Sequence, residues 1–301
     1  MRFAPILIGL IATLAIAAAF ASQFLSPRRP DVVAGRDGWL FPGWERLADE
    51  APDQTSVAVK LVGAVKGRIS AQGARLVVVL IPEKERVALS HLPESGRAHL
   101  AQSGAYDDLR RALVSQGVTV IDAKPVLMRL QAVGQAFQPR DAHWTGYAAE
   151  AVAGELAPAV LSLGALPGAS GTGEALAPWT HVRRYADLVE IQRRHGDTST
   201  RPDDFILRTY TAPAAGPFAV AVVGNSFADR QYGLPQALSH ELDRPIQHFV
   251  RYGAEGAWQA MADFLRSTPA ARPKRVVWVL GEDCFTDRAA LRAGTELLRP
   301  R

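Results

Sequence analysis

Short, uninterrupted apolar runs rich in β-branched residues alternate with helical patterns along most of the chain, and this alternation limits the fold more than any other feature. Strands covered by helices on both faces of a parallel sheet have such continuous apolar runs. The runs are residues 76–81 (LVVVLI), 118–121, 218–223 (FAVAVV), 246–250 and 276–280 (VVWVL). The segments with helical spacing of apolar residues are 57–69, 106–116, 145–161, 229–242 and 256–267. Residues 163–177, rich in Gly and Ala, are predicted to be a loop or an insertion. The alternation predicts an α/β domain with a mostly parallel sheet between helices.

Composition excludes several classes of protein. With 301 residues, 48% of them apolar and 21% charged, the chain is neither largely disordered nor too small to bury a core. Only one long apolar run is present, which excludes a protein with several membrane spans. Cys284 is the only cysteine, which excludes an internal disulfide framework and a thiolate zinc site. The net charge of +4 suits nucleic acid, anionic lipid or an acidic polymer and does not choose among them.

The amino-terminal segment predicts export. Residues 3–25 form an apolar run that no charged residue interrupts. About 20 apolar residues cross a bilayer, so the run favours a signal anchor over residues 1–25. The small residues before Ser22 also fit the cleavage site of a signal peptide, which is the alternative. We therefore predict an anchor or signal peptide at 1–25, a basic linker at 26–34 and one domain at 35–301.

A serine turn follows one of the apolar runs directly. In Gly224-Asn225-Ser226-Phe227, a sharp turn between a strand and a helix would lift the Ser226 hydroxyl clear of the sheet. The Ser226 N–H and the positive end of the following helix could then stabilise an oxyanion. The alternative is a plain helix N-cap. The G-x-S-x-G pattern of α/β-hydrolases is incomplete, because Ala228 replaces its last glycine.

An acid–histidine pair is the second candidate for chemistry. In an extended stretch, Asp141 and His143 project to the same side, so the carboxylate could hold Nδ1 and leave Nε2 free to accept a proton. Trp144 is predicted to wall the site or to stack on a sugar ring. The alternative is a capping segment for the following helix, whose predicted N-cap is Thr145.

Five short motifs occur in one order along the chain. They are residues 35–41 (GRDGWLF), 81–84 (IPEK), 141–145 (DAHWT), 186–191 (ADLVEI) and 224–227 (GNSF). With this ordered set, the chain resembles the SGNH-hydrolase-like, exported polysaccharide O-acetyltransferases of the alginate-acetylation (AlgJ/AlgX) family. The resemblance implies a three-layer α/β/α fold with Ser226 as nucleophile, His143 as base and Asp141 as the residue that orients it.

The resemblance also implies a reaction and a location. It implies acetyl transfer onto hydroxyls of an exported polysaccharide in the periplasm, with neither a cofactor nor a metal. The expected partners are the polysaccharide acceptor and a polytopic membrane O-acyltransferase that supplies acetyl groups. With the anchor reading, the domain would be tethered to the inner membrane.

The sequence departs from the family pattern at a few positions. Ala142 stands where the family often has Thr, and Ala186 stands where it more often has Gly. No G-x-N-D segment is present, so oxyanion donors beyond the Ser226 N–H are not assigned. The residues predicted to contact substrate or oxyanion are Asn225, Trp144, Arg251 and Tyr252, although a surface Arg beside a packed Tyr is the alternative for the last two.

Two other functions use the same observations. An exported carbohydrate esterase would employ the same three residues, because the competition between water and a sugar for the acyl-enzyme leaves no sequence signal. A non-catalytic glycan-binding subunit of a polysaccharide-export complex would explain the missing oxyanion segment.

Overall fold

The computed structural model describes residues 31–45, 52–94, 103–213, 217–267 and 272–299. The predicted anchor or signal peptide at 1–25, and the linker up to residue 30, lie outside the described residues. None of the helices in the described ranges combines the length and the apolar character needed to cross a bilayer. From Val32 onward the chain forms one compact unit.

Nine strands and nine α-helices alternate along the described ranges. The strands are β1 (Val32–Ala34), β2 (Leu40–Pro42), β3 (Arg75–Ile81), β4 (Thr119–Asp122), β5 (Leu176–Arg184), β6 (Asp203–Tyr210), β7 (Val220–Gly224), β8 (Ile246–Val250) and β9 (Arg275–Gly281). The helices are α1 (Pro52–Ala71), α2 (Lys84–Val87), α3 (Ala105–Ser115), α4 (Lys124–Gln131), α5 (Gly146–Ser162), α6 (Asp187–Arg194), α7 (Leu234–Leu242), α8 (Ala254–Arg266) and α9 (Arg288–Leu298).

The central sheet has five strands in the order β4-β3-β9-β7-β8, and every neighbouring pair is parallel. Its strands are the five apolar runs that the sequence predicted. Because all five run in one direction, their carboxyl ends meet at one edge of the sheet, where ligands bind in open α/β folds. The loops after β3, β7 and β9 therefore converge there.

Two apolar cores lie on opposite faces of the central sheet, because successive side chains of each strand point to opposite faces. In β3, Val77, Val79 and Ile81 face one core, and Leu76, Val78 and Leu80 face the other. The first core packs against α4, α5 and α7, and the second packs against α1, α3, α8 and α9. This alternation of side chains produces the three layers, helix, sheet and helix, that the sequence predicted.

Two antiparallel ribbons stand outside the central sheet. β1 pairs with β2, and β5 pairs with β6. The sequence analysis did not predict the second ribbon, because β5 is mostly exposed, β6 is mostly half-buried, and neither strand has the continuous buried run of the central strands. The last three residues of the predicted linker form β1. The short helices α4 and α6, and the carboxyl-terminal helix α9, were also not predicted.

The predicted helix over residues 229–242 is shorter in the structure. Residues Ser226–Ala228 and Arg230–Tyr232 form two 3₁₀ turns, and α7 begins only at Leu234. The side chain of Asp229 accepts the Gln231 N–H and so starts a separate turn. Gly233 then adopts φ +90°, a left-handed conformation that ends the turn before α7.

Candidate active site

The serine turn lies at the carboxyl end of β7, in the middle of the sheet. Gly224 ends the strand so close to β9 that a Cβ there would lie 2.7 Å from the Val279 carbonyl oxygen, which explains the glycine. The buried side chain of Asn225 accepts the Phe227 N–H and caps the 3₁₀ turn that Ser226 begins. Ser226 is therefore not the N-cap. The predicted contribution of an α-helix dipole is wrong, because Ser226 begins a 3₁₀ turn and a second 3₁₀ turn separates it from α7.

The segment that carries Asp141 and His143 is held in place by a buried lysine. Lys84 Nζ donates hydrogen bonds to the carbonyl oxygens of Leu40, Gln138, Pro139 and Asp141 at 2.7–2.9 Å. These carbonyls belong to β2 and to the loop before α5, so one side chain joins two distant segments. Burial lowers the pKa of Lys84 to about 7.

Asp141, His143 and Ser226 form one hydrogen-bonded chain. Asp141 Oδ1 lies 2.8 Å from His143 Nδ1, and His143 Nε2 lies 2.8 Å from Ser226 Oγ. Asp141 and His143 are buried, and Ser226 is partly exposed. The pair does not come from an extended stretch as predicted. The backbone bends, and Asp141 Oδ1 also accepts the His143 N–H at 3.0 Å, which fixes the turn.

A second carboxylate, which the sequence analysis did not single out, supports the histidine. Asp187 Oδ2 lies 3.3 Å from His143 Nδ1. Asp187 N donates to Asp141 Oδ2 at 3.0 Å, and Asp187 Oδ1 accepts the Ala142 N–H at 2.8 Å. The two aspartates therefore hold each other's backbone around the imidazole. The only signal for Asp187 was the ADLVEI motif at 186–191, because the residue is 46 positions from Asp141 in sequence.

The charges around the imidazole favour its protonated form. Burial alone lowers the pKa of His143, but the hydrogen bonds to Asp141 and Asp187 outweigh burial and raise it above the usual value. Burial raises the pKa of Asp141, and the hydrogen bond and charge of His143 overcome this effect and lower it. An imidazolium formed during a reaction would therefore be stabilised, while Asp141 stays ionised.

Aromatic rings enclose the histidine. The Tyr232 ring stacks on the His143 ring, with the two ring centroids 3.7 Å apart. Burial raises the pKa of Tyr232 above its usual value. Trp144 packs edge-on against Phe227 at 5.0 Å and donates from Nε1 to the Tyr232 carbonyl. Only 2% of Trp144 is exposed, although the residue lines the larger groove described below, and its predicted contact with a sugar stays a prediction.

Arg251 and Tyr252 lie farther out on the surface. Arg251 Nε pairs with Asp263 Oδ2 at 2.8 Å, and the Tyr252 hydroxyl donates to Asp229 Oδ2 at 2.5 Å. Both residues are exposed, and neither lines the two cavities described below. Their predicted contact with substrate stays a prediction.

Asp141, His143 and Asp187 also bring three possible metal-ligand atoms within 4.8 Å of one another. Each carboxylate accepts backbone N–H groups, and both carboxylates contact the same ring nitrogen. These hydrogen bonds account for the cluster as a device that orients the imidazole.

Two cavities flank the hydrogen-bonded chain. A small one, of about 110 Å³, is lined by Ser226 and His143 together with carboxyl side chains. A larger groove, of about 330 Å³, extends from Asp141 and Tyr232 along the β5–β6 ribbon. Its cationic lining residues are Arg184, Arg208 and Arg230. The arrangement provides a nucleophile and base at the junction of two spaces of different size and charge.

Comparisons with known proteins identify the family and the fold. The family model described as SGNH hydrolase-like domain, acetyltransferase AlgX, matches residues 32–282. A probable alginate O-acetylase AlgJ from Azotobacter vinelandii is 28% identical over 271 residues, which is 84% of this chain and 69% of that protein.

Two solved structures share the fold. The O-acetyltransferase domain of Pseudomonas putida AlgJ has a TM-score of 0.75 at 24% identity, over 90% of this chain and 100% of that chain. Pseudomonas aeruginosa AlgX has a TM-score of 0.68 at 17% identity, over 87% of this chain and 65% of that chain. The fold is therefore SGNH-like, with a parallel central sheet. Because the family model matches most of this chain, the chain belongs to the family of SGNH hydrolase-like domains of the acetyltransferase AlgX.

Proposed function

We propose that the protein is an O-acetyltransferase that moves an acetyl group through Ser226 onto hydroxyls of an exported, acidic polysaccharide. The observation that carries the proposal is the hydrogen-bonded chain from Asp141 through His143 to the partly exposed Ser226. The relatives named as alginate O-acetylases support the reaction and the class of acceptor, since alginate is a polymer of uronic acids.

The first half of the reaction loads the serine. Ser226 Oγ attacks the carbonyl carbon of an acetylated donor while its proton passes to His143 Nε2. The carbonyl electrons move onto oxygen, and the tetrahedral intermediate then expels the leaving group. His143 returns the proton to that group, and an acetyl ester remains on Ser226.

The second half transfers the acetyl group. A sugar hydroxyl loses its proton to His143 as its oxygen attacks the ester carbonyl, and Ser226 leaves with the returned proton. Asp141 stays ionised throughout and stabilises the imidazolium in both halves. Whether acetyl reaches a sugar or water depends on which acceptor occupies the space next to His143.

The larger groove supports an anionic acceptor. Two of its arginines already have carboxylate partners, Arg208 with Glu150 and Arg230 with Glu174. Arg184 lies over the Phe205 ring at 4.3 Å, and no carboxylate within the described ranges pairs with it. A guanidinium in that position is suited to the carboxylate of a uronic acid.

The proposed reaction takes place in the periplasm, close to the inner membrane. The uninterrupted apolar run at residues 3–25 supports a tether there, and a membrane O-acyltransferase would supply the acetyl groups from the other side. Both parts belong to the proposal.

The direct test is Ser226→Ala in the full chain. With 4-nitrophenyl acetate as donor and a polyuronate oligomer as acceptor, we expect acetylated oligomer from the wild type and a loss of about a thousandfold or more in the variant. Ser115→Ala, at an exposed serine on α3, is the matched control and should keep wild-type activity. Wild-type transfer by Ser226→Ala would contradict the proposal, and release of free acetate without acetylated oligomer would assign the site to an esterase instead.

A further inference from the structure

The small cavity beside Ser226 is lined by an unusual number of acids. Its volume of about 110 Å³ is the space of about four water molecules, which matches the three heavy atoms of an acetyl group. Four carboxyl side chains line it together with Ser226 and His143. They are Glu45, which follows β2, Glu83, which follows β3, and Glu282 and Asp283, which follow β9.

One of these carboxylates has a cationic partner. Glu282 forms a buried ion pair with Arg86 at 2.7 Å, and its Oε2 also accepts the Glu83 N–H at 3.3 Å. Glu282 is therefore fully engaged as a charged group. The remaining acids line the same small cavity as that negative charge.

Glu83 and Glu45 each have a buried side-chain oxygen without a hydrogen-bond partner in the described ranges, and Glu83 is the more deeply buried of the two. Only 5% of the residue is exposed, and no group in the described ranges binds its buried Oε2 atom. An isolated buried carboxylate is so costly that the group takes up a proton instead. Burial, followed by the charge of Glu282, raises the pKa of Glu83 well above its usual value, which agrees with this geometry.

Building on the acetyl transfer proposed above, we propose that Glu83 holds its proton and donates a hydrogen bond to the acetyl carbonyl oxygen, as an oxyanion donor of the Ser226 site. The proton stays on Glu83 throughout. As Ser226 Oγ bonds to the carbonyl carbon, the carbonyl electrons move to oxygen and the hydrogen bond strengthens, and collapse of the intermediate restores the carbonyl. A carboxylic acid kept neutral by its surroundings can serve as such a donor.

With this assignment, Glu83 is an oxyanion donor in addition to the Ser226 N–H. The sequence analysis could assign no such donor, because the chain has no G-x-N-D segment. A protonated Glu83 also defines the chemistry of the cavity. A neutral acid accepts a neutral acyl group, whereas the uronate of an acceptor would be repelled by ionised Glu282. The acetyl group then belongs in the small cavity and the polymer in the larger groove.

The proposal predicts a particular pH dependence. Glu83 must be protonated, so the rate falls at alkaline pH when this group ionises. The charged and titratable groups that face it are Glu45 after β2, Lys84, Glu85 and Arg86 in α2, Glu282 and Asp283 after β9, and His143 across the cavity.

The test compares Glu83→Gln with Glu83→Leu in the full chain. Acetylation of Ser226 by 4-nitrophenyl acetate is measured across pH, with folding checked by circular dichroism. An amide still donates a hydrogen bond and cannot ionise, so Glu83→Gln should stay within about tenfold of wild type and lose the alkaline fall in rate. Glu83→Leu should lose about 100-fold in kcat at all pH values. The matched control, Glu155→Gln, changes an exposed acid on α5 outside the cavity lining and should leave the profile unchanged.

Two results would overturn the assignment: Glu83→Leu within about threefold of wild type, or Glu83→Gln as impaired as Glu83→Leu with the alkaline fall retained. If Glu83→Leu does not fold, infrared difference spectra decide. The protonated-carboxyl absorption at neutral pH should decrease in Glu83→Gln and stay unchanged in Glu155→Gln, and the absence of that difference contradicts the proposal. Activation by added Mg²⁺ or Ca²⁺ that Glu83→Gln abolishes would make the cluster a cation site instead. An active Ser226→Ala would overturn the proposed function, whereas an inactive one with a normal Glu83→Leu overturns only this inference.

Discussion

The two cavities beside the His143–Ser226 pair differ in charge, in size and in the way their ionic groups are partnered. In the small cavity, buried acids exceed the one cation that pairs with them, and Glu83 has no partner. In the larger groove, arginines exceed acids, and two of the three are paired with carboxylates. The contrast suggests that charge sorts the substrates, a neutral acyl group on one side and an anionic polymer on the other.

The imidazole stands between the two spaces. His143 lines the small cavity, while its partner Asp141 and the ring that stacks on it, Tyr232, line the groove. One base can therefore serve a donor on one side and an acceptor on the other without moving.

The largest loss of activity is expected from a change in the Asp141–His143 pair, because this base serves both cavities. Asp141→Asn leaves the shape of the site but takes away the charge that fixes the histidine tautomer, so we expect kcat to fall about 10⁴-fold for donor and acceptor steps alike. Rapid-quench measurement of each half-reaction checks this. A loss confined to one half would mean that the two cavities use different bases.

One ion pair at the groove joins a partly exposed arginine to a buried carboxylate. Glu174 is 1% exposed as a side chain and binds Arg230 through both oxygens at 2.7 and 2.8 Å. Arg230→Ala leaves a buried carboxylate without its partner, and we expect the free energy of unfolding to fall by about 1–3 kcal/mol.

Urea unfolding measures this loss as a lower midpoint at constant m-value. Arg129→Ala breaks the exposed pair with Glu155 and should cost no more than about 0.5 kcal/mol. Equal losses in the two variants would show that the groove pair is no better buried than a surface pair.

The second carboxylate tunes the histidine and is less important than the first. Hydrogen bonds from the imidazole to Asp141 and Asp187 raise the pKa of His143, and the base must be neutral to act, so activity rises with pH through this raised value. Asp187→Asn removes one of the two charges and therefore lowers that pKa. We expect the acidic limb of the kcat/KM profile to move to lower pH, with a loss of about tenfold at the optimum. An unchanged limb would show that Asp187 only positions the backbone.

The smallest expected effect concerns acceptor binding. Arg184→Gln removes the groove cation that has no carboxylate partner in the described ranges, and an exposed ion pair contributes about 1 kcal/mol, so we expect KM for a polyuronate to rise about fivefold. The rate of Ser226 acetylation without acceptor should stay unchanged. Arg183→Gln is the matched control, because adjacent residues of a strand face opposite sides and Arg183 does not line the groove. Equal effects of both variants would contradict a specific subsite.

Local pattern determined the layers of this protein. Continuous apolar runs marked all five strands of the central sheet within about two residues, and Thr145 caps α5 by accepting the Ala148 N–H, as predicted. Such features depend on neighbours in sequence, so the sequence alone contains them. The ribbon of β5 and β6 lacks that pattern, because only Phe205 among its strand residues is fully buried.

The site shows the limit of such reasoning. Asp141, His143 and Ser226 are recognisable from short motifs, since each needs a particular turn around it. Asp187 and Glu83 lie in the ADLVEI and IPEK motifs, but those motifs gave neither acid a role. The position of Asp187 beside His143 and the burial of Glu83 next to Glu282 depend on residues far away along the chain. Only tertiary structure decides those surroundings, because the cost of an ion depends on the solvent and charges that the folded chain places around it.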